Sequence, residues 1–543
     1  MITSQQDFPP SDLSSAEVIK QAKEWIKTCL DDHTEGPQRQ GDPFLPARLV
    51  NVQTLQLKLT HPTERSTYAA LSYCWVTEQY FVTLLSNIDS LTDKINWALL
   101  PVTIQDAILT TRNLGITWLW VDALCIIQDS PKDKATEIGY MNQVYKNATV
   151  TIAAASASNV QDGFLGRKSR PTGIQVNFPC PDGQLGTVYL VRKHEYMENA
   201  LGPLYHRAWA LQERVLSPRL LIFGKWELVW QCHQVHNAQV TASHLTLEQV
   251  EDSIRLPTGI YYRHSGVLAE KTGFDLHLWK RIVEEYSACQ LTLPEDKLPA
   301  LAGIVSELAR VWNMSSYYAG LWKHQFIKQM CWYRDEEENG RVNIGSKSSI
   351  QNTVVNRKVV YRAPIWSWAS IDGQVRYGIF IRSIEVASLV NCYVEPSSLQ
   401  AAFGQVKNGQ VNINGNMAIL KVFGVDWFTT TIIDANGSTF QDYLASYDKE
   451  QIKLKEQTIW VVLLTAPDLE LNSRLLAPME GLILQTVGNS GTQFKRIGYW
   501  KTEGSQKRGT NRDRGAVGNH VNQNRVKVDF FYASSECRTI SII

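Results

Sequence analysis

Residues 68–75 read Tyr-Ala-Ala-Leu-Ser-Tyr-Cys-Trp, and residues 119–126 read Leu-Trp-Val-Asp-Ala-Leu-Cys-Ile. Each is a short apolar run broken by one or two polar residues. Strands of a parallel sheet read this way because helices cover both of its faces. Between the two runs lies Leu100-Pro-Val-Thr-Ile-Gln-Asp-Ala-Ile108, where apolar residues keep helical spacing until Gly115, a residue type that stops helices readily. After them come a polar turn at Asp129–Lys134 and a helix over Ala135–Asn147 that carries Glu137-x-x-x-Met141-x-x-x-Tyr145. A third apolar strand follows at Thr149–Ala155. This alternation predicts an α/β unit built on an open parallel sheet.

Working outward, Ala16–Leu30 has the apolar spacing of a short amphipathic helix, and Phe44–Val50 and Thr54–Thr60 read as edge strands. Pro203–Glu213 is helix-like, and Arg219–Cys232 reads as a hairpin turning at Gly224. Helical periods recur in Leu276–Cys289 and Pro299–Val311; beyond residue 336 the chain breaks into strand-like runs between Gly and Asn turns. The expected division is a polar arm with a short helix at 1–44, an α/β core at 45–235, a helical region at 236–335 and a β-rich region at 336–543.

Composition narrows the function classes. Net charge is +1, and the densest basic stretch, Lys507–Arg514, sits among glycines as a solvated loop would. Neither a basic face nor a known module points to nucleic acid. The 17 tryptophans read chiefly as buried rings. Nine cysteines, odd in number, scattered and without a Cys-x-x-Cys, argue against a disulfide scaffold and for a reducing compartment. The first 25 residues lack a signal-peptide core, and Asp122 interrupts the longest apolar run. A cytoplasmic protein without a membrane span is expected.

A few polar positions stand out against this background. Asp122 falls mid-strand if the strand runs Thr117–Ile127, where a carboxylate has to be paired, hydrogen-bonded or at the strand's end. Pairing with Arg207 or Arg214 would make it a structural lock. Glu137, Met141 and Tyr145 follow one helix face. That puts Glu137 at the rim near the helix start, either within reach of a cleft above the sheet or simply where the helix dipole favours a carboxylate. In Arg207-Ala-Trp-Ala-Leu-Gln-Glu-Arg214 the arginines either lock carboxylates in bidentate pairs or hold nucleotide phosphates. Ser72 lacks a surrounding Gly-x-Ser-x-Gly, and Cys125 lies in an apolar run without a nearby His, so neither reads as a nucleophile. There is no Walker loop and no Gly-x-Gly-x-x-Gly. His233 and His236 lack further ligands at zinc spacing, and no metal is expected.

Tyr68–Trp75, Trp120-x-Asp-x-Leu-Cys-Ile-x-Gln128, Glu137-x-x-x-Met-x-x-x-Tyr-x-x-Ala148 and Arg207-x-Trp-x-x-Gln-Glu213 resemble, in order and spacing, the motifs of the fungal heterokaryon-incompatibility (HET) domain. The likeness continues through Tyr286–Gly303, Tyr318-x-Gly-Leu-Trp322 and Ala363-Pro-x-Trp-Ser-Trp-Ala369. Two departures are plain: Val76 stands where relatives carry Gly after the opening motif, and Gly36 replaces the second Cys of a Cys-x-x-x-His-x-x-Cys pattern begun by Cys29 and His33. The resemblance implies a part in fungal non-self recognition, in which fusion of incompatible cells triggers death. The domain would act by association, its partners being proteins, an incompatible allele product or a second copy, and no cofactor is implied. It also implies an alternative. The HET core is similar to Toll/interleukin-receptor (TIR) domains, some of which cleave NAD with a helix-borne glutamate. On that analogy Glu137 and Asp122 are catalytic, Ser72, Trp75, Arg207 and Arg214 hold the nucleotide, and NAD is the substrate. A third implied role is that of an accessory protein of a secondary-metabolite gene cluster.

Overall fold

The computed structural model describes residues 12–32, 44–75 (except 62, 63 and 65), 81–166, 173–191 (except 180–182 and 184), 202–239 (except 226 and 234–237), 254–261, 273–335, 361–398 (except 379–382) and 401–423, together with the segments 431–434, 439–440, 443–447, 457–467, 479–487, 491–502 and 536–543. The start of the polar arm and the basic stretch at 507–514 lie outside the described residues. Two compact units divide the chain: Met1–Gly273 with Cys289–Leu291 and Ala300–Asn313, and Phe274–Ala288 with Thr292–Pro299 and Met314–Ile543.

In the first unit, α1 (Ala16–Asp31) starts under a Ser15 cap and buries Val18, Ala22 and Cys29 along one face. Strands β1 (Arg48–Asn51) and β2 (Gln56–Leu59) form an antiparallel hairpin. Then come β3 (Tyr68–Ser72), α2 (Ile88–Asp93), α3 (Val102–Asn113), β4 (Trp118–Trp120), α4 (Asp122–Cys125), α5 (Pro131–Asn147) and β5 (Val150–Ala153). Gly115 follows α3 with φ +81°, the left-handed conformation in which glycine carries no Cβ penalty. Ser130 caps α5, and Pro131 occupies its first turn, where a missing N–H costs nothing. A separate hairpin of β6 (Gly173–Pro179) and β7 (Leu185–Val191) precedes α6 (Ala208–Leu216), β8 (Arg219–Phe223), β9 (Leu228–Cys232) and the two-residue β10 (Ala238–Gln239).

The sheet order is β10-β9-β8-β5-β3-β4-β1-β2. Its centre is parallel: β3 pairs with β4 and β5, and β5 with β8. The flanks, β9–β10 and β1–β2, run antiparallel. The sheet is therefore mixed, a parallel core between antiparallel hairpins, rather than wholly parallel. Hairpins can do this because they need no crossover helix. The crossover from β3 to β4 runs through α3 and that from β4 back to β5 through α5, and α6 packs beside α5. Trp120 and Tyr145 meet edge-to-face with ring centroids 5.6 Å apart, and the Tyr68 hydroxyl donates to Val144 O at 2.6 Å. These large buried rings fasten α5 to the parallel strands.

The segment expected to be helical yields α7 (Leu276–Ser287), which belongs to the second unit, and α8 (Pro299–Val311), which from Ala300 belongs to the first. Lys146 of α5 and Glu307 of α8 form an ion pair of 2.8 Å with both side chains about 5% exposed. The second unit is dominated by a ten-stranded sheet that is antiparallel apart from one parallel contact between Gln493–Thr502 and Glu536–Ile542. Its longest strand, Val406–Phe423, pairs with four others. Among the described residues no helix is long and apolar enough to cross a membrane.

Candidate active site at the carboxyl edge of the sheet

β3, β4 and β5 run in one direction and finish together: Ala70 lies opposite Trp120, and Ser72 opposite Ala153. The chain leaves β3 towards β4 on one side, whereas β5 continues to β8 on the other. The carboxyl ends of β3 and β5 therefore flank a topological switch point, where open α/β sheets form ligand crevices.

Asp122 stands here, but not mid-strand as its apolar neighbours suggested. β4 stops at Trp120, and Val121–Cys125 closes a buried turn of helix through Cys125 N to Val121 O, 2.7 Å. A short apolar run satisfies a buried helical turn as well as a strand, so hydrophobicity could not distinguish them. The turn frees the Asp122 carboxylate from the sheet. Trp75 Nε1 donates to Oδ2 at 2.7 Å and Ala123 N to Oδ1 at 2.7 Å, and Tyr73 adds a side-chain hydrogen bond. Burial pushes the carboxyl up, and these bonds together with the charge of Arg207 oppose it.

Glu213 of α6 joins the same cluster. It is 5% exposed and accepts a short hydrogen bond from the Ser72 hydroxyl. Burial is the main cause that pushes its carboxyl up to about 7; Asp122 adds to this, while Arg207, Ser72 and Tyr145 oppose it. Arg207 stands where the 3-10 turn Pro203–His206 passes into α6. Its Nη1 donates to Tyr73 O, and its charge reaches both carboxylates. The arginine expected to pair with Asp122 thus acts through space, with backbone as its direct partner. The Arg214 guanidinium lies over the Tyr205 ring, 4.9 Å from its centroid. With Ser72, Ala153 and Leu220 these residues line a pocket with room for about one water molecule.

Glu137 belongs to a neighbouring cluster. It is buried on α5, with Arg48 Nη2 3.9 Å from its Oε1. The same nitrogen is 2.5 Å from Asp133 Oδ2, and Arg48 Nε donates to Cys125 O at 2.6 Å. Burial pushes Glu137 up and Arg48 opposes it. Asp122 and Glu137 flank Cys125, whose buried thiol is pushed up to about 12, which removes it as a nucleophile.

The structure thus brings Ser72, Trp75, Asp122, Arg207 and Arg214 to one edge, and sets Glu137 beside Arg48. Tyr73 and the deep placement of Glu213 were not singled out from sequence, and Tyr145 was read there only as a residue of the α5 face. For Glu213 the available signal was its position on the helical run, six residues after Arg207. Among the described residues no group of three or more His, Cys, Asp or Glu side chains is arranged to hold a metal ion.

Residues 68–213 match the family model described as Heterokaryon incompatibility protein (HET). No curated protein and no solved structure matches the chain. The matched segment opens with Tyr68, the first residue of β3, and closes on Glu213, so it encloses Ser72, Trp75, Asp122, Arg207 and Glu213 and stops one residue short of Arg214. Residues 68–213 of the chain therefore match a heterokaryon-incompatibility (HET) domain.

Proposed function

We propose that the protein is an effector of fungal non-self recognition and of the cell death that follows incompatible fusion, and that its HET domain works by hydrolysing the nicotinamide–ribose bond of NAD. The family match supports the heterokaryon-incompatibility role. One observation carries the chemical half: Asp122 and Glu213, both pushed up by burial, converge with Arg207 at the carboxyl ends of parallel strands. Perturbed carboxylates gathered at such a strand edge mark candidate acid–base sites.

Each residue has a role in this reading. Asp122, which accepts hydrogen bonds from Trp75, Tyr73 and Ala123, stabilises the oxocarbenium-like ribose as the C–N bond to nicotinamide breaks. Nicotinamide leaves with the bonding electron pair and needs no proton. Glu213, poised near neutral pH, takes a proton from the attacking water through the Ser72 hydroxyl. The water oxygen bonds to C1 of the ribose, giving ADP-ribose, nicotinamide and one proton. Arg207 and Arg214 hold the diphosphate, and the Trp75 ring packs on the nucleotide. TIR-like kinship would be consistent with this chemistry. Glu137, the carboxylate that the analogy singles out, here supports α4 through Arg48.

The test is nicotinamide release from NAD by the purified full chain and three variants. Asp122→Asn and Glu213→Gln are expected to lower turnover by roughly 10²–10³-fold, and Glu137→Gln to retain most of it. No release by the intact protein would refute the hydrolytic reading and leave association with a protein partner as the mode of action. Loss confined to Glu137→Gln would transfer the catalytic role to that residue.

A further inference from the structure

Helix α1 lies against β9, and the two elements present side chains at matching intervals. Trp25 and Cys29 are four residues apart on one helix face, and Trp230 and Cys232 two apart on the buried face of the strand. The indoles of Trp25 and Trp230 stack with ring centroids 6.3 Å apart. That contact sets Cys29 on Cys232, and the two thiols hydrogen-bond. Both carry thiols and are 4% and 5% exposed. Arg219 is the cross-strand partner of Cys232 and also bonds Cys29, so a positive charge stands where a thiolate would form.

We propose that Cys29 and Cys232 are a redox pair whose disulfide staples α1 to the sheet under oxidising stress. The oxidant is a hydroperoxide. One thiolate attacks the distal peroxide oxygen, the O–O bond breaks, and a sulfenic acid and one water form from hydrogen peroxide. The second sulfur then displaces the sulfenic oxygen as another water, closing the S–S bond. Two thiols and one hydrogen peroxide give one disulfide and two waters, with sulfur oxidised and oxygen reduced. Cys232 and burial push the Cys29 thiol up and Arg219 opposes them, so little thiolate is present at any moment and the staple closes slowly, under sustained peroxide.

The consequence follows from where the staple falls. Its loop, from residue 29 to residue 232, encloses the whole HET match at 68–213, and a cross-link that closes a long loop restricts the unfolded chain most. Oxidation would therefore stiffen the HET domain without touching its polar edge. The expected rise in Tm is on the order of 10 °C, reversed by dithiothreitol.

Treatment of the native full chain with hydrogen peroxide, alkylation of remaining thiols and non-reducing peptide mapping test this directly. The expected product links the peptides of Cys29 and Cys232. Cys29→Ser and Cys232→Ala are each expected to abolish both the cross-link and the Tm rise. Alkylation of both cysteines after peroxide treatment would overturn the proposal, as would a Tm rise that persists in either variant. If both variants fail to fold, the wild-type peptide map alone decides.

Discussion

Replacing Glu213 with Gln keeps the shape of a side chain that lies at the centre of the polar edge and removes its titration. A carboxyl moved from its ordinary value of 4.5 to about 7 binds its proton more tightly in the folded than in the unfolded protein. Its contribution to stability is complete below pH 4.5, is lost as pH rises towards 7, and stays lost above that. The linked cost is about 3 kcal/mol once both states are ionised. Glutamine still accepts from Ser72 but offers the site an amide where a second acceptor stood, a loss of about 1 kcal/mol. Glu213→Gln should therefore lie within about 0.5 kcal/mol of wild type at pH 5 and be more stable by about 2 kcal/mol at pH 8. At about 2 °C per kcal/mol for a unit of this size, the Tm difference moves from near zero to a gain of about 4 °C. Thermal melts of both proteins between pH 5 and 8 measure it. Glu137 is common to both proteins and drops out of the difference, whereas Asp122, whose charge acts on Glu213, is relieved of that repulsion in the variant, which adds to the gain at high pH. A difference that stays constant across this pH range would refute the reasoning, because it would mean that Glu213 is ionised with ordinary ease.

Three further outcomes rest on geometry alone. Glu307→Ala leaves Lys146 buried without its 2.8 Å partner and should cost about 3–5 kcal/mol, read from urea midpoints; a change under 1 kcal/mol would mean that water reaches the lysine. Gly202 has φ +65° and ψ −178°, and a Cβ there would stand 2.1 Å from Ala155 O. Gly202→Ala should destabilise by at least about 3 kcal/mol in the same assay. Trp75→Phe keeps the ring but removes the donor to Asp122, and a loss of about 1.5–3 kcal/mol in a thermal melt at pH 7 is expected for a bond to a charged group.

Local pattern told more than long-range partnership. The runs at 68–75 and 149–155 announced buried parallel strands because both faces of that sheet are covered, and β3 and β5 are buried at every position. The run 119–126 announced burial equally well but not its conformation. Residues Asp122–Cys125 of it are helical, so the sequence-based strand was too long and Asp122 was misplaced within it. The antiparallel flanks were half-visible, as hairpins without a stated place in the sheet. Partnership is where periodicity stops. Nothing local says that Arg48, 85 residues before Asp133, supplies the cation for that carboxylate and for Glu137. Likewise Ser72 meets Glu213 across 141 residues. Only the folded sheet brings such side chains together, and the direct partner of Arg207 proved to be a backbone carbonyl, which no side-chain pattern encodes.

The central claim is that the carboxyl-edge carboxylates, rather than a binding surface, carry the lethal activity. The most direct measurement is expression of the full chain and of Asp122→Asn in fungal cells, with intracellular NAD and viability followed together. The account predicts that the wild-type chain, when triggered, drains NAD before viability falls, and that Asp122→Asn, present at equal level and folded, leaves both intact. Cells that die with Asp122→Asn while their NAD stays full would contradict it.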